Sequence, residues 1–113
     1  MKSIEIERAI IVKLQYEGVH RWIDCNLDEV HYLTYPHRHI FFITIEKEVS
    51  HNDRDIEIIL FKRKVYEYLT KKYNHKFGNR SCEDIAEDIL NQFDCKSVEV
   101  LEDNENGAKI IKR

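Results

Sequence analysis

Two stretches of alternating side chains do most to restrict the folds open to this chain. Ile10, Val12, Leu14 and Tyr16 fall on one side and Ile11, Lys13, Gln15 and Glu17 on the other. Side chains of a strand point to opposite faces in turn, so this pattern predicts a half-buried strand. Gly18 predicts a bend or bulge, after which Val19 to Cys25 continue the strand with His20 and Trp22 on one side. Asn26 to Pro36 read as a loop or irregular hairpin arm, and Pro36 suits the first residue of a strand because it has no amide proton to give. His39, Phe41, Ile43 and Ile45 then repeat with period two. Ile40, Phe42 and Thr44 make the opposite face apolar as well, which predicts cover on both sides, by helices on one and by a subunit or ligand on the other.

Ser50 to Asp55 is a run of short polar side chains that bond their own backbone, and it predicts a turn. A strand over Ile56 to Leu60 passes into a helix from about Phe61 to Tyr73, in which Phe61, Val65, Tyr68 and Leu69 recur at helical spacing and Lys62, Arg63 and Lys64 form a solvated face. Ser81 caps a second helix and Asp84 stands where a reciprocal capping carboxylate belongs, ahead of a buried stripe of Ile85, Ala86, Ile89, Leu90 and Phe93. Val98 and Val100 open another strand, Asn106-Gly107 marks a hairpin, and Ala108 to Lys112 return. The order ββααββ predicts an α+β domain, an antiparallel four-stranded sheet backed by two helices.

At 113 residues, 42% hydrophobic and 35% charged, the chain has material for one core, so residues 1–113 are expected to form a single domain. The net charge of -3 is spread over mixed acidic and basic residues, which argues against a nucleic-acid polymer as partner but leaves small charged ligands open. Cys25, Cys82 and Cys95 are odd in number and lack zinc-ribbon spacing, and the first residues lack the apolar core of a signal peptide, so a cytoplasmic setting is expected. No apolar stretch approaches the roughly 20 residues needed to cross a bilayer, and no membrane role is expected.

Three histidines carry the chemistry. In His37-Arg38-His39 both imidazoles share a strand face, and His20 arrives from another strand. Such a set could hold zinc and leave one tetrahedral position for water or substrate, the plan of a catalytic rather than a structural site. The alternative is three histidines that only hydrogen-bond the surface.

Five segments in order, Val19-His20-Arg21, His37-Arg38-His39, Asn74-His75-Lys76-Phe77, Ser81-Cys82-Glu83-Asp84-Ile85-Ala86 and Val98-Glu99-Val100-Leu101-Glu102, the last before an Asn-rich turn, resemble the 6-pyruvoyl-tetrahydropterin synthase and 6-carboxytetrahydropterin synthase family. The resemblance spans nearly the whole chain and implies the T-fold. It implies that His20, His37 and His39 bind zinc and that Glu102 holds a pterin. A carboxylate accepts paired hydrogen bonds from a pterin or guanine edge alike; the plainer reading of Glu102 is a hairpin-end carboxylate facing water. The departures are equally specific. Tyr32, Leu33 and Thr34 occupy the neighbourhood of the family's catalytic cysteine, with Cys25 much farther back, and Asn74 stands where an aspartate would precede His75. Asparagine has no charge to stabilise an imidazolium, so the triad is degenerate.

A T-fold shell with a broken triad is expected to bind without turnover, and a purine nucleotide or cyclic dinucleotide is the expected ligand. Arg21, Arg38 and Arg54 are candidates for phosphate contacts and Trp22 and Phe41 for stacking on a base, although Arg38 alternates away from its flanking histidines and is read first as surface charge, with service to a neighbouring subunit's site as the alternative. The chain also resembles small phage proteins with similar His-Arg-His, His-Asn-Asp-Arg and Glu-Asp-x-Glu-Asn-Gly stretches, which implies a sponge for the cyclic nucleotide signals of bacterial defence, acting in the host cytoplasm. The alternative is a zinc-dependent synthase-type lyase in which His75 or Cys25 moves protons; a third reading is an interaction module with structural histidines. Unpaired sheet edges predict a homo-oligomer, a dimer or tetramer, and the family resemblance places the ligand between subunits.

Overall fold

The computed structural model describes residues 5–113. Its backbone is a long antiparallel ribbon in which β1 (Arg8–His20) and β2 (His37–Val49) pair in unbroken register from Arg8 opposite Val49 to His20 opposite His37. The alternation noted in the sequence runs through both strands. Val12, Leu14 and Tyr16 on β1 and Phe41, Ile43 and Ile45 on β2 are buried on one face, while Ile11, Lys13, Gln15 and Glu17 are exposed on the other. Ile40, Phe42 and Thr44 stay half-exposed on that outer face.

Helix α1 (Ile58–Tyr73), strand β3 (Lys76–Gly78), helix α2 (Cys82–Phe93), and strands β4 (Ser97–Glu102) and β5 (Asn106–Ile111) complete the chain. The fold is α+β, but the sheet has five strands in the order β3-β1-β2-β4-β5 rather than four. The added strand, β3, pairs parallel to the end of β1. Asn74 and His75 produce it: both take left-handed backbone angles (φ 49° and 67°) just after α1 and turn the chain back along β1. The His75 carbonyl then accepts from Val19 N–H at 2.9 Å and that of Gly78 from Arg21 N–H at 2.8 Å. Three residues are too few to display a period.

Other local expectations are revised. Ile56 to Leu60 form no strand; the Glu57 carboxylate accepts from Leu60 N–H at 2.7 Å and starts α1 at Ile58. β1 ends at His20 instead of running to Cys25, and the loop after it contains a 3-10 helix, Asp28–Thr34. Gly18 makes no bend in the ribbon, where it pairs regularly with His39. Its function is space: a β-carbon there would lie 2.5 Å from Phe77 Cε2. The β4–β5 turn sits three residues earlier than Asn106-Gly107, because Asp103 and Asn104 take the left-handed angles (φ 53° and 61°) and Glu105 N–H closes onto Glu102 O at 2.9 Å. Gly107 lies inside β5, where a β-carbon would meet Val100 O at 1.8 Å.

Both helices pack on the buried face. The expected capping box is present, Ser81 Oγ accepting from Asp84 N–H and Asp84 from Ser81 N–H, and Ile85, Ala86, Ile89 and Leu90 of α2 join Phe61, Val65 and Leu69 of α1 over the strands. The helices are tied together at Asp88, which accepts from Tyr68 Oη at 2.7 Å, from Lys72 Nζ at 3.0 Å, and from Tyr73 Oη. Tyr16 and Phe77 extend the core toward the end of the ribbon that carries the histidines.

Candidate metal centre

At that end, period two places Tyr16, Gly18 and His20 on the inner face of β1, and His37, His39 and Phe41 on that of β2. Glu102, the last residue of β4, lies opposite Phe41 in the β2–β4 pairing and so joins the same face. The fully buried Phe41 ring is the floor, edge-on to His20 at 5.2 Å and to His39 at 5.8 Å between centroids. Above it the three histidines and Glu102 converge. One ligand atom from each lies within 4.8 Å of all the others.

The hydrogen bonds around the rings fix which nitrogens face inward. Nδ1 of His20 lies 2.9 Å from the Arg80 carbonyl, Nδ1 of His37 2.9 Å from the Tyr35 carbonyl, and Nδ1 of His39 2.7 Å from a carboxylate oxygen of Asp103. Each of these oxygens is an acceptor, so each Nδ1 carries the hydrogen and donates it. In the neutral rings all three Nε2 atoms therefore present lone pairs, and outer acceptors of this kind are what orient and strengthen metal-binding imidazoles. Glu102 Oε2 stands 2.7 Å from Nε2 of His20 and 3.1 Å from Nε2 of His39. The His20 contact is short enough to couple the charges, yet no directional hydrogen bond spans it, and His20 Nε2 is buried without an aligned partner. An unpartnered buried nitrogen beside a carboxylate fits a cation between them better than it fits a plain ion pair.

Burial works against a charged His20, but the contact with Glu102 and the bond to the Arg80 carbonyl outweigh it and hold its pKa above the ordinary value. The contact with His20 chiefly, aided against burial by the charges of His39 and His37, holds the Glu102 carboxyl below its usual range. Without a metal these shifts favour a protonated His20 beside an ionised Glu102, and a divalent ion would take the place of that proton. The cluster's donor set, imidazole with carboxylate and no thiolate, suits zinc or another borderline divalent ion.

The remaining expected residues separate into near and far. Arg21 and Trp22 follow His20 directly; Arg21 Nε donates to Thr34 O at 2.9 Å, and Trp22 is 42% exposed, open to a stacking partner. Phe41, fully buried beneath the histidines, has no face free for a base, which corrects its expected stacking role. Arg38 points to the outer face and pairs with Glu17 at 2.8 Å. Arg54 lies beyond the far end of β2, about 40 Å of strand from His37, with Asp53 as its partner at 3.0 Å. Within one chain neither arginine meets the cluster.

The acid-base candidates stand apart too. Cys25 is buried in the loop with Sγ directed at Val30 O, 3.6 Å away. His75 lies flat on Tyr16, 4.4 Å between ring centroids, and its Nδ1 donates to Glu17 O at 2.6 Å. Two residues escaped the sequence reading. Asp103 orients His39 and also accepts from Ile40 N–H at 3.0 Å; its signal was a second carboxylate directly after Glu102. Cys82 opens α2 close enough to feel Glu102, and burial first, then that charge and Glu83, push its thiol up to about 12. It is an inert thiol rather than a nucleophile.

No protein-family model matches the chain, and no curated protein matches it significantly. Among the described residues no helix is long and apolar enough to cross a membrane.

Proposed function

We propose that this chain is a T-fold-like protein that binds zinc through His20, His37 and His39 and holds a small purine- or pterin-like ligand beside the metal without converting it. One observation carries the reading: all three Nδ1–H groups are committed outward, so three Nε2 lone pairs meet beside a carboxylate. Zinc, when bound, would supply a Lewis acid that attracts an oxygen or nitrogen of the ligand. Arg21 and Trp22, which follow His20 directly, would serve phosphate and base; the exposed Trp22 ring supports the second of these roles. The separation of Cys25 and His75 from the cluster favours binding over turnover, because a proton carrier must come within hydrogen-bond reach of the atom it serves.

Sequestration of a cyclic dinucleotide by a phage-encoded homo-oligomer is the biological setting this reading fits. The second reading, a zinc-dependent lyase of the pterin synthase type with His75 or Cys25 moving protons, draws its support from the three-imidazole set, which with zinc bound would leave a position for substrate. The two are separated by incubating zinc-loaded protein with cyclic dinucleotides and pterin precursors, filtering, heating, and identifying the small molecules by mass spectrometry. Release of an intact retained ligand is the expected result. Appearance of a new product would replace binding with catalysis, and retention of nothing by protein that holds zinc would leave a metal site without the proposed ligand.

A further inference from the structure

Glu102 does not stand as a free acceptor waiting for a ring edge. Its Oε2 lies between two Nε2 atoms, 2.7 Å and 3.1 Å away, and both are lone-pair nitrogens once their Nδ1–H groups are donated to Arg80 and Asp103. Two lone-pair nitrogens and an anionic oxygen repel one another across such gaps unless something positive lies among them. A proton can serve one nitrogen at a time, whereas a divalent ion serves all the donors at once. Neighbouring donors of a tetrahedral zinc, with bonds of about 2.0–2.2 Å, sit roughly 3.4 Å apart, so Oε2 already stands inside that span and would need only to draw back by a few tenths of an ångström to share the ion. The backbone holds it there, since Glu102 ends β4 opposite Phe41 and the next residue, Asp103, is fastened to both Ile40 and His39.

We infer that Glu102 is the fourth protein ligand of the resting metal, and that an incoming anionic oxygen donor binds by displacing it. The inference rests on the metal-binding reading above and changes its mechanism. With three imidazoles and one carboxylate the tetrahedral sphere is complete, so no coordinated water remains. A ligand gains entry when its own metal–oxygen bond replaces the bond to Glu102. The freed carboxylate, 30% exposed, then becomes the acceptor for N–H groups of the same ligand. A molecule offering only an anionic oxygen, or only a donor edge, satisfies half of the exchange, so the site selects ligands that carry both.

Cobalt(II) tests this without reference to any turnover, because its visible absorption reports coordination number and exchangeable positions. Cobalt-loaded wild-type protein should show a four-coordinate spectrum that azide barely alters. Glu102→Ala should take up cobalt about tenfold to a hundredfold more weakly and, with an open position, respond strongly to azide. Glu102→Gln, closer in shape, should fall between them. A wild-type spectrum that shifts with azide as readily as that of Glu102→Ala would overturn the inference while leaving the metal reading intact. Failure of the wild-type protein to take up cobalt or zinc would remove the metal reading and this inference together. If Glu102→Ala does not fold, as circular dichroism would show, the azide response of the wild-type protein decides alone.

Discussion

Asp103 and His39 are joined at 2.7 Å, a carboxylate oxygen receiving the Nδ1–H of an imidazole whose Nε2 faces Glu102. The same carboxylate takes Ile40 N–H through its other oxygen, so one side chain fastens a ring of β2 to the turn after β4. Asp103→Asn should therefore weaken zinc binding about tenfold with little change in fold, because asparagine tolerates the left-handed angle at this position. Competition against a chelating indicator measures it, and an unchanged affinity would show that the carboxylate charge is irrelevant to His39.

His37, unlike His20 and His39, makes no ring contact with the buried Phe41, and its Nδ1 is held only by the nearby Tyr35 carbonyl. Replacing it with alanine should leave the fold intact while reducing bound zinc from one equivalent to a small fraction. Elemental analysis of dialysed protein is the check, and full stoichiometry in the variant would exclude His37 as a ligand.

The pair His37 and His39 was legible because period two sets their shared face from one strand alone, whereas His20 joins them through the register of β1 against β2, in which it stands opposite His37. What surrounds the set was not legible. Asp103 reaches His39 across a gap of 64 positions, and Cys82 nears Glu102 only because α2 is folded over the sheet. The chemistry of Arg54 and Phe41 suits a nucleotide, but placement decides: one sits at the far end of the ribbon and the other beneath the cluster. Ile56 to Leu60 misled because branched apolar residues suggest a strand, while a single carboxylate at Glu57 was enough to begin a helix there. Strand β3 was set by the turn at Asn74 and His75, a conformation that a Lys-Tyr-Asn-His stretch does not announce.

The tie at Asp88 predicts a pH dependence that is independent of any metal. Burial opposes its charge, but hydrogen bonds from Tyr73, Tyr68 and Lys72 outweigh that and lower its pKa below the usual 3.8. A carboxyl with a depressed folded pKa adds stability above its unfolded value, and that stability is lost as the pH falls through the folded one. Tyr73 marks the opposite limit: burial, then the bond to Asp88, raise it from 10.0 to about 12, so its contribution holds below pH 10 and is lost as the pH climbs through that higher value. Urea midpoints should accordingly hold their Asp88-dependent part at neutral pH and lose it in acid below about pH 4. Asp88→Ala should cost about 2 kcal/mol at pH 7, since two tyrosine hydroxyls lose their acceptor, and should flatten the acid limb. An acid limb identical to wild type would show that other carboxylates carry it.

Gly18 links core packing to the cluster, and its replacement should reveal that coupling. A β-carbon there would stand 2.5 Å from Phe77 Cε2 and 3.2 Å from Phe41 Cε2, and both rings are fully buried. Neither has open space to retreat into, so Gly18→Ala should destabilise the fold by about 1–3 kcal/mol as an overpacked core does. The strain has a direction, because Phe41 is the floor on which His20 and His39 rest. Displacing it moves two imidazoles relative to Glu102, and zinc affinity should fall along with stability. Phe77→Leu in the same chain removes the ring that the new methyl meets and should restore much of both. Chemical denaturation and zinc competition, run on the single and double variants, check the pair of effects; stability recovered without zinc affinity would show that Phe41 does not transmit the strain to the histidines.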